Sequence, residues 1–261
     1  NNKMMVGSEI AEIALPLSFE SQKRKIQNNP NNQLFYLNAS KSRITYAYGI
    51  LMEKGDRLMY SDYYKSRDYY SKSLDLFVIS RNYLLNALEV KYENFTQRMR
   101  NREEIVFEKE DIDYLYWLSG SLAGSIQASQ GDPQYLIDLP NIKWLLENAI
   151  AVDPNWQNGT LSAAMMSVYL NDLSGDKNAQ KTALSYFDLA EKQSNGLNAS
   201  IYVTLAENYA VSKQDKKLFI ELLDKAINID VNKDKSLKQS NKLSQSRAKW
   251  LKSRVDDLFY M

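Results

Sequence analysis

Residues 141–154 read NIKWLLENAIAVDP, and this stretch carries the pattern that decides the fold. Its apolar positions recur with the 3.6-residue period of a helix that buries one face, at Ile142, Leu145, Leu146, Ala149 and Ile150. Asp153-Pro154 then ends the helix, because the residue before a proline is disfavoured in the helical conformation. The stretch is therefore predicted to be an amphipathic α-helix followed by a turn.

Similar apolar stripes occur elsewhere in the chain. Later copies are formed by Ala183, Phe187 and Ala190 and by Phe219, Leu223 and Ala226, and an earlier one by Ile79, Tyr83 and Ala87. From Ala149 onward, the closing alanines lie 41 and 36 residues apart. Tetratricopeptide repeats, with a period of about 34 residues, place alanine and an aromatic residue at such spacing. The small alanine lets two helices approach closely, and the ring fills the groove beside it.

A helix that combines aromatic and small residues is predicted before each stripe. These helices are predicted at residues 34–58, 112–129, 158–171 and 198–211. Small residues between aromatic ones suit close helix packing. The chain is therefore predicted to be all-α, with stacked helix–turn–helix pairs in a tetratricopeptide-like α-solenoid. One domain is expected to span residues 1–261.

Further helices are predicted at the two ends of the array. Pro16 is expected near the start of a helix that ends before Asn29-Pro30, since proline suits the first helical turn. A capping helix is predicted from about Asp234 to Phe259, with Trp250 as its structural anchor. Between the pairs, residues 97–111 are predicted to form a charged excursion and residues 171–178 a polar turn.

The composition excludes many kinds of chemistry. The 261 residues include no Cys and no His, so a Ser–His–Asp or Cys–His nucleophile cannot be built. Zinc and copper sites usually need the same side chains. Carboxylate acid–base chemistry, Lys or Tyr chemistry and oxygen-ligated Ca or Mg remain possible by composition. Since no residue pair shows the spacing of an acid–base site, we predict no enzyme activity, no catalytic residue, no metal and no cofactor. The net charge of +1 gives no electrostatic reason to expect nucleic acid or anionic lipid as the main partner.

Two local clusters have alternative interpretations. Acidic residues gather at Glu103, Glu104, Glu108, Glu110, Asp111 and Asp113, where a carboxylate pair could serve a glycosidase, but a solvated loop before a helix N-terminus also explains them. Five tyrosines crowd residues 60–70, at Tyr60, Tyr63, Tyr64, Tyr69 and Tyr70. Of these, residues 60, 63, 64 and 70 would lie toward one side of a helix. They indicate either packing between helices or a binding face.

The first helices of the pairs are the predicted binding surface, since these helices commonly form the inner side of a solenoid. Aromatic walls with a few hydroxyl groups suit an amphipathic ligand or a protruding segment of a partner. The candidate lining residues are Tyr46, Tyr114, Trp117, Tyr169 and Tyr209. The alternative is that these rings only fill gaps between helices.

A series of short motifs runs through nearly the whole chain in a characteristic order. They are Ala14-Leu15-Pro16, the run RNYLLNAL at 81–88, Tyr114-Leu115-Tyr116-Trp117, Leu139-Pro140, Val152-Asp153-Pro154, Tyr202-Val203, Tyr209-Ala210-Val211, Asn241, RAKWL at 247–251 and VDDLF at 255–259. In these motifs the chain resembles the T-component family of tripartite ATP-independent periplasmic (TRAP) transporters. The chain departs from the family at Ser174-Gly175, where two glycines are usual, and it lacks the family's lipobox cysteine.

The resemblance implies a non-catalytic periplasmic accessory protein of a solute uptake system. It implies association with the transporter's solute-binding protein, and membrane attachment only through an N-terminal lipid anchor. A small organic ligand and a homo-oligomer stay open as further partners. No apolar run is long enough to span a bilayer, and the start at Asn1-Asn2-Lys3 shows no signal peptide, although a trimmed secreted chain would look the same.

The alternative is a cell-envelope adaptor for proteins with no role in solute uptake. An apolar cavity would favour the transport role, whereas a solvated groove lined by Asn, Lys and Arg would favour the adaptor.

Overall fold

A computed structural model describes residues 2–172 and 175–260, with side chains from residue 12 onward in these ranges. Throughout them the chain forms helices and no strand, which confirms the all-α prediction. The helices group into two compact units that divide after Val152. Each unit is built from helices packed in consecutive pairs, as the repeat pattern predicts.

The first unit begins with α1, Asn2–Asn28, which packs on the helix that follows it. That second helix runs from residue 33 to 58 in three parts: α2 Gln33–Tyr46, a π-helical segment Ala47–Met52, and α3 Glu53–Leu58. The remaining helices of this unit are α4 Tyr63–Lys91, α5 Phe95–Asn101, a 3-10 turn Lys109–Asp111, α6 Ile112–Ala128, α7 Pro133–Leu136 and α8 Leu139–Val152. The pairs are α2 with α4 and α6 with α8, and α4 also packs on α6.

The second unit opens with a 3-10 turn, Trp156–Gly159. Its helices are α9 Thr160–Leu170, α10 Ala179–Gln193, α11 Ala199–Leu205 with a π-helical continuation Ala206–Ala210, α12 Lys216–Asn228, α13 Lys238–Ser253 and α14 Val255–Leu258. The pairs are α9 with α10 and α11 with α12, and α13 packs on both helices of the latter pair. The capping position predicted for the last long helix is therefore correct.

Small residues allow the helices to approach closely, as the stripes predict. Ala149, Ala190 and Ala226 are completely buried. In the first unit Gly124 of α6 faces the ring of Phe77 on α4, and a Cβ at that position would lie 2.5 Å from the ring. Phe77 is itself completely buried. Only glycine therefore fits at this crossing of α4 and α6.

Several local predictions are wrong. Pro16 lies inside α1 and not near its start, since α1 begins at Asn2. The terminal helix begins at Lys238 and not near Asp234, whose side chain accepts the backbone N–H of Ser236 in a turn. It also breaks at Arg254, where the backbone leaves the helical conformation. Trp250, the predicted structural anchor, packs against the core of the second unit and is partly exposed.

The stretches 97–111 and 60–70 also differ from expectation. The first begins within α5, and although its glutamate side chains are exposed, Ile105 and Phe107 are buried in it, with the Phe107 and Trp144 rings 5.8 Å apart. In the second, Tyr70 is buried whereas Tyr63 and Tyr64 are exposed, so these side chains do not share one face.

Two predictions are not tested by these observations. Within the polar turn predicted at 171–178, residues 173 and 174 lie outside the described residues. Ser174, the first residue of the Ser174-Gly175 departure from the family, is one of them. The expectation of a single domain over 1–261 stays a prediction.

Candidate functional site

All five predicted lining residues are partly exposed, and each lies on the first helix of a pair. In the first unit, Tyr46 ends α2 and meets Phe19 of α1 edge to face, with ring centroids 5.9 Å apart. Partial burial and the Glu12 carboxylate raise the pKa of Tyr46, while Lys54 and Lys72 act in the opposite direction. Lys54 also pairs with Glu12. Tyr46 thus lies at a charged edge of the α1–α2 contact.

Tyr114 and Trp117 lie one turn apart on α6 but have different surroundings. Tyr114 packs against a small buried cluster that includes Tyr36 of α2 and Ala87 of α4. Trp117 carries the Lys41 ammonium 5.7 Å from its ring centre, and Lys41 pairs with Asp113 at 2.8 Å. Tyr114 therefore has a substantial packing role, whereas Trp117 combines a partly exposed ring with a cation, as binding surfaces often do.

Tyr169 and Tyr209 belong to the second unit. Tyr169 of α9 stacks on Tyr186 of α10, with centroids 5.9 Å apart and planes 15° from parallel. Tyr209 lies in the π-helical segment after α11, and the Lys213 ammonium is 5.8 Å from its ring centre. Both rings also pack against the core of this unit. The ring stacked on Tyr169 belongs to a neighbouring helix, whereas the cation beside Tyr209 comes from the turn that follows its own helix.

One cavity of the first unit is polar. It has a volume of about 660 Å³ and is formed by the turn between α1 and α2, residues 29–34, together with Tyr114. Three of the turn residues are Asn29, Asn31 and Asn32. The groove expected for the adaptor is lined by Asn, Lys and Arg, and this cavity meets that description in its Asn side chains alone.

A cluster of polar groups around Asp111 closes the stretch between α5 and α6. The Asp111 carboxylate is buried and accepts hydrogen bonds from Lys91 at 2.9 Å, from the Tyr92 hydroxyl at 2.5 Å and from the backbone N–H of Glu108 at 2.8 Å. Burial and the hydrogen bond to Asp111 raise the pKa of Tyr92 to about 12. With these partners, Asp111 ties the loop down and is not available as an acid or base.

The rest of the acidic run supports the interpretation as a solvated loop, because Glu103, Glu104, Glu108 and Glu110 are exposed. Among the side chains that the structure describes, no three acidic groups lie close enough to hold a metal ion. None of the helices in the described ranges is long and apolar enough to cross a membrane.

Two residues that matter for the packing of the first unit were not singled out from the sequence. Arg43 of α2 is only 4% exposed although it is charged. Tyr48, two residues after the candidate Tyr46, donates a hydrogen bond to the Gly120 carbonyl at 3.2 Å and packs on Phe77 at 4.6 Å. Positions two apart point to different sides of a helix, so Tyr46 and Tyr48 lie on different sides. The predicted lining includes Tyr46 and therefore leaves out the side on which Tyr48 lies.

Comparison with known proteins gives two findings. A protein of Treponema pallidum (strain Nichols), described as an uncharacterized protein, is 22% identical over 258 residues, which cover 96% of this chain and 80% of that protein. The family model of the TRAP transporter T-component matches residues 8–259, nearly the full length. A T-component is an accessory, periplasmic-side component of its transporter. The chain belongs to the TRAP transporter T-component family.

Proposed function

We propose that this protein is a non-catalytic accessory protein of a TRAP-type uptake system that binds the transporter's solute-binding protein. The family match over residues 8–259 is the observation that carries the proposal. Partly exposed rings on the first helices of the pairs support it, because aromatic side chains give large contact area at low entropic cost. An organic ligand held by the same rings belongs to the proposal as well.

The two rings with a neighbouring ammonium are the best candidates for direct contact. Trp117 lies beside Lys41, and Tyr209 lies beside Lys213. Tyr209 therefore offers apolar area next to a positive charge, which suits a partner segment that is both apolar and acidic, whereas the charge beside Trp117 is paired with Asp113. Tyr114 and Tyr169 have more extensive packing contacts and are expected to contribute less.

Binding to the cognate solute-binding protein tests this function. The full chain is immobilised through an N-terminal tag, and binding is measured by biolayer interferometry. Trp117→Ala and Tyr209→Ala should each weaken binding about tenfold or more, as expected for a ring at the centre of an interface. The melting midpoint should change by about 2 °C or less. Tyr260→Ala, at a ring that is 92% exposed, is the matched control and should bind like the original chain.

The adaptor function is the second candidate, and the Asn-lined cavity at residues 29–34 favours it. It predicts no saturable binding of a solute-binding protein up to about 100 μM. A pull-down from the native envelope should then recover other proteins, and Asn31→Ala or Asn32→Ala should weaken their capture. That pair of results would contradict the transport role.

Three further features belong to the proposal. The protein is placed at the periplasmic face of the membrane by a lipid anchor, residues 1–261 unfold as one domain, and a second copy of the chain is a candidate partner. Mass spectrometry of the full-length protein from its native envelope tests the anchor. Light scattering tests the oligomeric state.

A further inference from the structure

A small notch in the first unit is lined by a cation that the fold has buried. Its volume is about 300 Å³, and its walls are Lys23 of α1, Arg43 of α2, and Ile79, Asn82 and Tyr83 of α4. None of these residues belongs to the predicted aromatic surface. The side chain of Arg43 is only 4% exposed, so the guanidinium lies at the bottom of the notch and not on its rim.

Arg43 is only partly satisfied by the protein. One of its terminal nitrogens donates to the Gln22 amide oxygen at 2.9 Å and to the Ala39 carbonyl at 3.0 Å, and the other donates to the Phe19 carbonyl at 3.0 Å. A guanidinium has five N–H donors. The hydrogen bonds seen use three of them, and all three acceptors are uncharged. These contacts join α1 to α2, so Arg43 also has a structural role.

The charge of Arg43 has no counter-ion among the described side chains. Glu20 is the acidic residue whose field reaches the guanidinium, and it is exposed and forms no ion pair with it. Lys23, the second cation of the notch, has no ion-pair partner in the described residues either. Two positive charges therefore line one cavity. Lys23 is exposed, but the Arg43 guanidinium is buried, and taking such a charge out of water without a partner is costly.

The remaining groups of the notch also suit an anion. The rings of Phe19 and Tyr83 cover the guanidinium, with centroids 4.5 and 5.3 Å from its carbon, so its edges are left for hydrogen bonding. The Asn82 side-chain oxygen accepts a hydrogen bond from Arg81 at 3.3 Å, which leaves its NH₂ group as a donor. Ile79 and the Tyr83 ring add an apolar wall. An arginine edge matches a carboxylate through two parallel hydrogen bonds.

We infer that this notch is a binding site for a small organic carboxylate. Arg43 and Lys23 bind the carboxylate, Asn82 donates a further hydrogen bond, and the apolar part of the ligand lies against Ile79 and the Tyr83 ring. The volume of the notch accommodates a single small acid. The site is separate from the surface proposed for the solute-binding protein, and its occupancy does not depend on that function.

Benzoate is the probe, because it combines a carboxylate with a compact apolar body. Binding to the isolated full chain is measured by saturation-transfer NMR and isothermal titration at constant ionic strength. We expect a dissociation constant on the order of 1 mM. Benzyl alcohol has a similar shape and no charge, and it should bind at least tenfold more weakly. Inorganic sulfate should compete poorly, because it gains nothing from the apolar wall.

Asn82→Asp is the decisive variant, since Asn82 is exposed and the change adds a carboxylate with almost no change in volume. The new carboxylate should pair with Arg43 and Lys23, and this should weaken benzoate binding about tenfold or more. Asn86→Asp adds the same charge one turn later on α4, at an exposed position outside the notch, and should leave binding unchanged. Lys23→Ala should weaken binding about threefold, and Lys25→Ala is its control on α1.

Arg43→Gln should abolish binding, and circular dichroism shows whether this variant folds. If it does not fold, Asn82→Asp and Lys23→Ala still decide the question. The inference is overturned if benzoate shows no saturable binding at 20-fold above the expected constant of about 1 mM. It is also overturned if Asn82→Asp binds benzoate normally, or if benzyl alcohol or sulfate binds as tightly as benzoate. If the protein binds benzoate but not the solute-binding protein, the carboxylate site is still supported and only the proposed function is contradicted.

Discussion

The two units of the chain differ in how they hold polar groups inside. The buried charged side chains seen in the described ranges, Arg43 and Asp111, both lie in the first unit. In the second unit the buried polar side chains are uncharged: Ser162, Ser194, Asn198 and Asn241. There, Asn241 of α13 accepts the Ala199 N–H at 2.8 Å and donates to the Leu197 carbonyl at 2.7 Å.

This difference separates two ways of joining helices. The second unit is joined by apolar contacts and by the amide bridges of Asn241 and Gln245, and its Arg247–Glu207 ion pair is partly exposed. The first unit has buried charged side chains where its helices join. Burying a charge is costly unless the charge is well paired. Departures of this kind from the simplest packing are expected where a protein has a function to serve. The charged joints are therefore the places to look for binding.

The largest effect should come from the apolar core of the regular unit. Phe219 is completely buried on α12, so Phe219→Ala should destabilise the protein by about 3–5 kcal/mol in urea unfolding. If residues 1–261 unfold as one domain, the whole transition should move. Leu189→Ala, at a side chain that is 41% exposed, should change stability by about 0.5 kcal/mol or less. A second transition that stays in place would show that the two units unfold separately.

The charged and uncharged joints can be compared directly. Asp111→Ala removes the acceptor of Lys91, Tyr92 and the Glu108 N–H, and should cost about 2–3 kcal/mol. Asn241→Ala leaves a buried N–H and a carbonyl without their partner and should cost about 1–3 kcal/mol. Salt should reduce the first cost and not the second, because Lys91 is partly exposed and screened. Equal salt dependence in thermal unfolding would contradict the comparison.

Two glycines of α6 should respond in opposite directions. Gly124→Ala forces a methyl group into the Phe77 ring and should destabilise the first unit by about 1–3 kcal/mol. A Cβ at Gly120 meets nothing within 4 Å, so Gly120→Ala should stabilise the helix by up to about 1 kcal/mol. Thermal unfolding of the two variants side by side measures this. A stable Gly124→Ala protein would mean that α4 and α6 can separate at little cost.

The smallest effect concerns pH. The raised pKa of Tyr92, about 12, means that folding favours its protonated hydroxyl. Its contribution to stability is therefore fully present below the ordinary pKa of tyrosine, about 10, and is lost as the pH rises toward 12. The difference in ultraviolet absorbance between the original chain and Tyr92→Phe should show a titration with a midpoint near 12. A midpoint near 10 would show that the hydroxyl does not bond to Asp111.

The sequence predicts the apolar stripes of both units for a physical reason. Ala190, Phe219 and Ala226 are recognisable because each belongs to a periodic stripe, and the periodicity is local. The contact of Phe77 with Gly124 joins residues far apart in the chain, so no local pattern reveals it. Arg43 occurs among ordinary polar residues of α2, and only the packing of α1 and α4 around it makes it a buried cation.

For the candidate aromatic residues, too, the local pattern predicts one property and contacts between distant residues decide another. Their place on the first helices of the pairs follows from the spacing, and partial exposure agrees with it. Whether a ring meets a partner or a neighbouring helix depends on the rotation of each helix about its axis. That rotation is set by contacts between pairs, which the spacing of residues along one helix does not specify.

The two π-helical segments, Ala47–Met52 and Ala206–Ala210, change the phase of the helices that contain them. A π turn holds one residue more than an α turn, so the positions after it are rotated by roughly 100° around the axis. Tyr209 lies within the second of these segments. Deleting one residue from the segment should restore a regular helix and turn the following side chains to another face. An insertion or deletion in either segment would thus turn the side chains that follow it to another direction, although the residues that carry them stay the same.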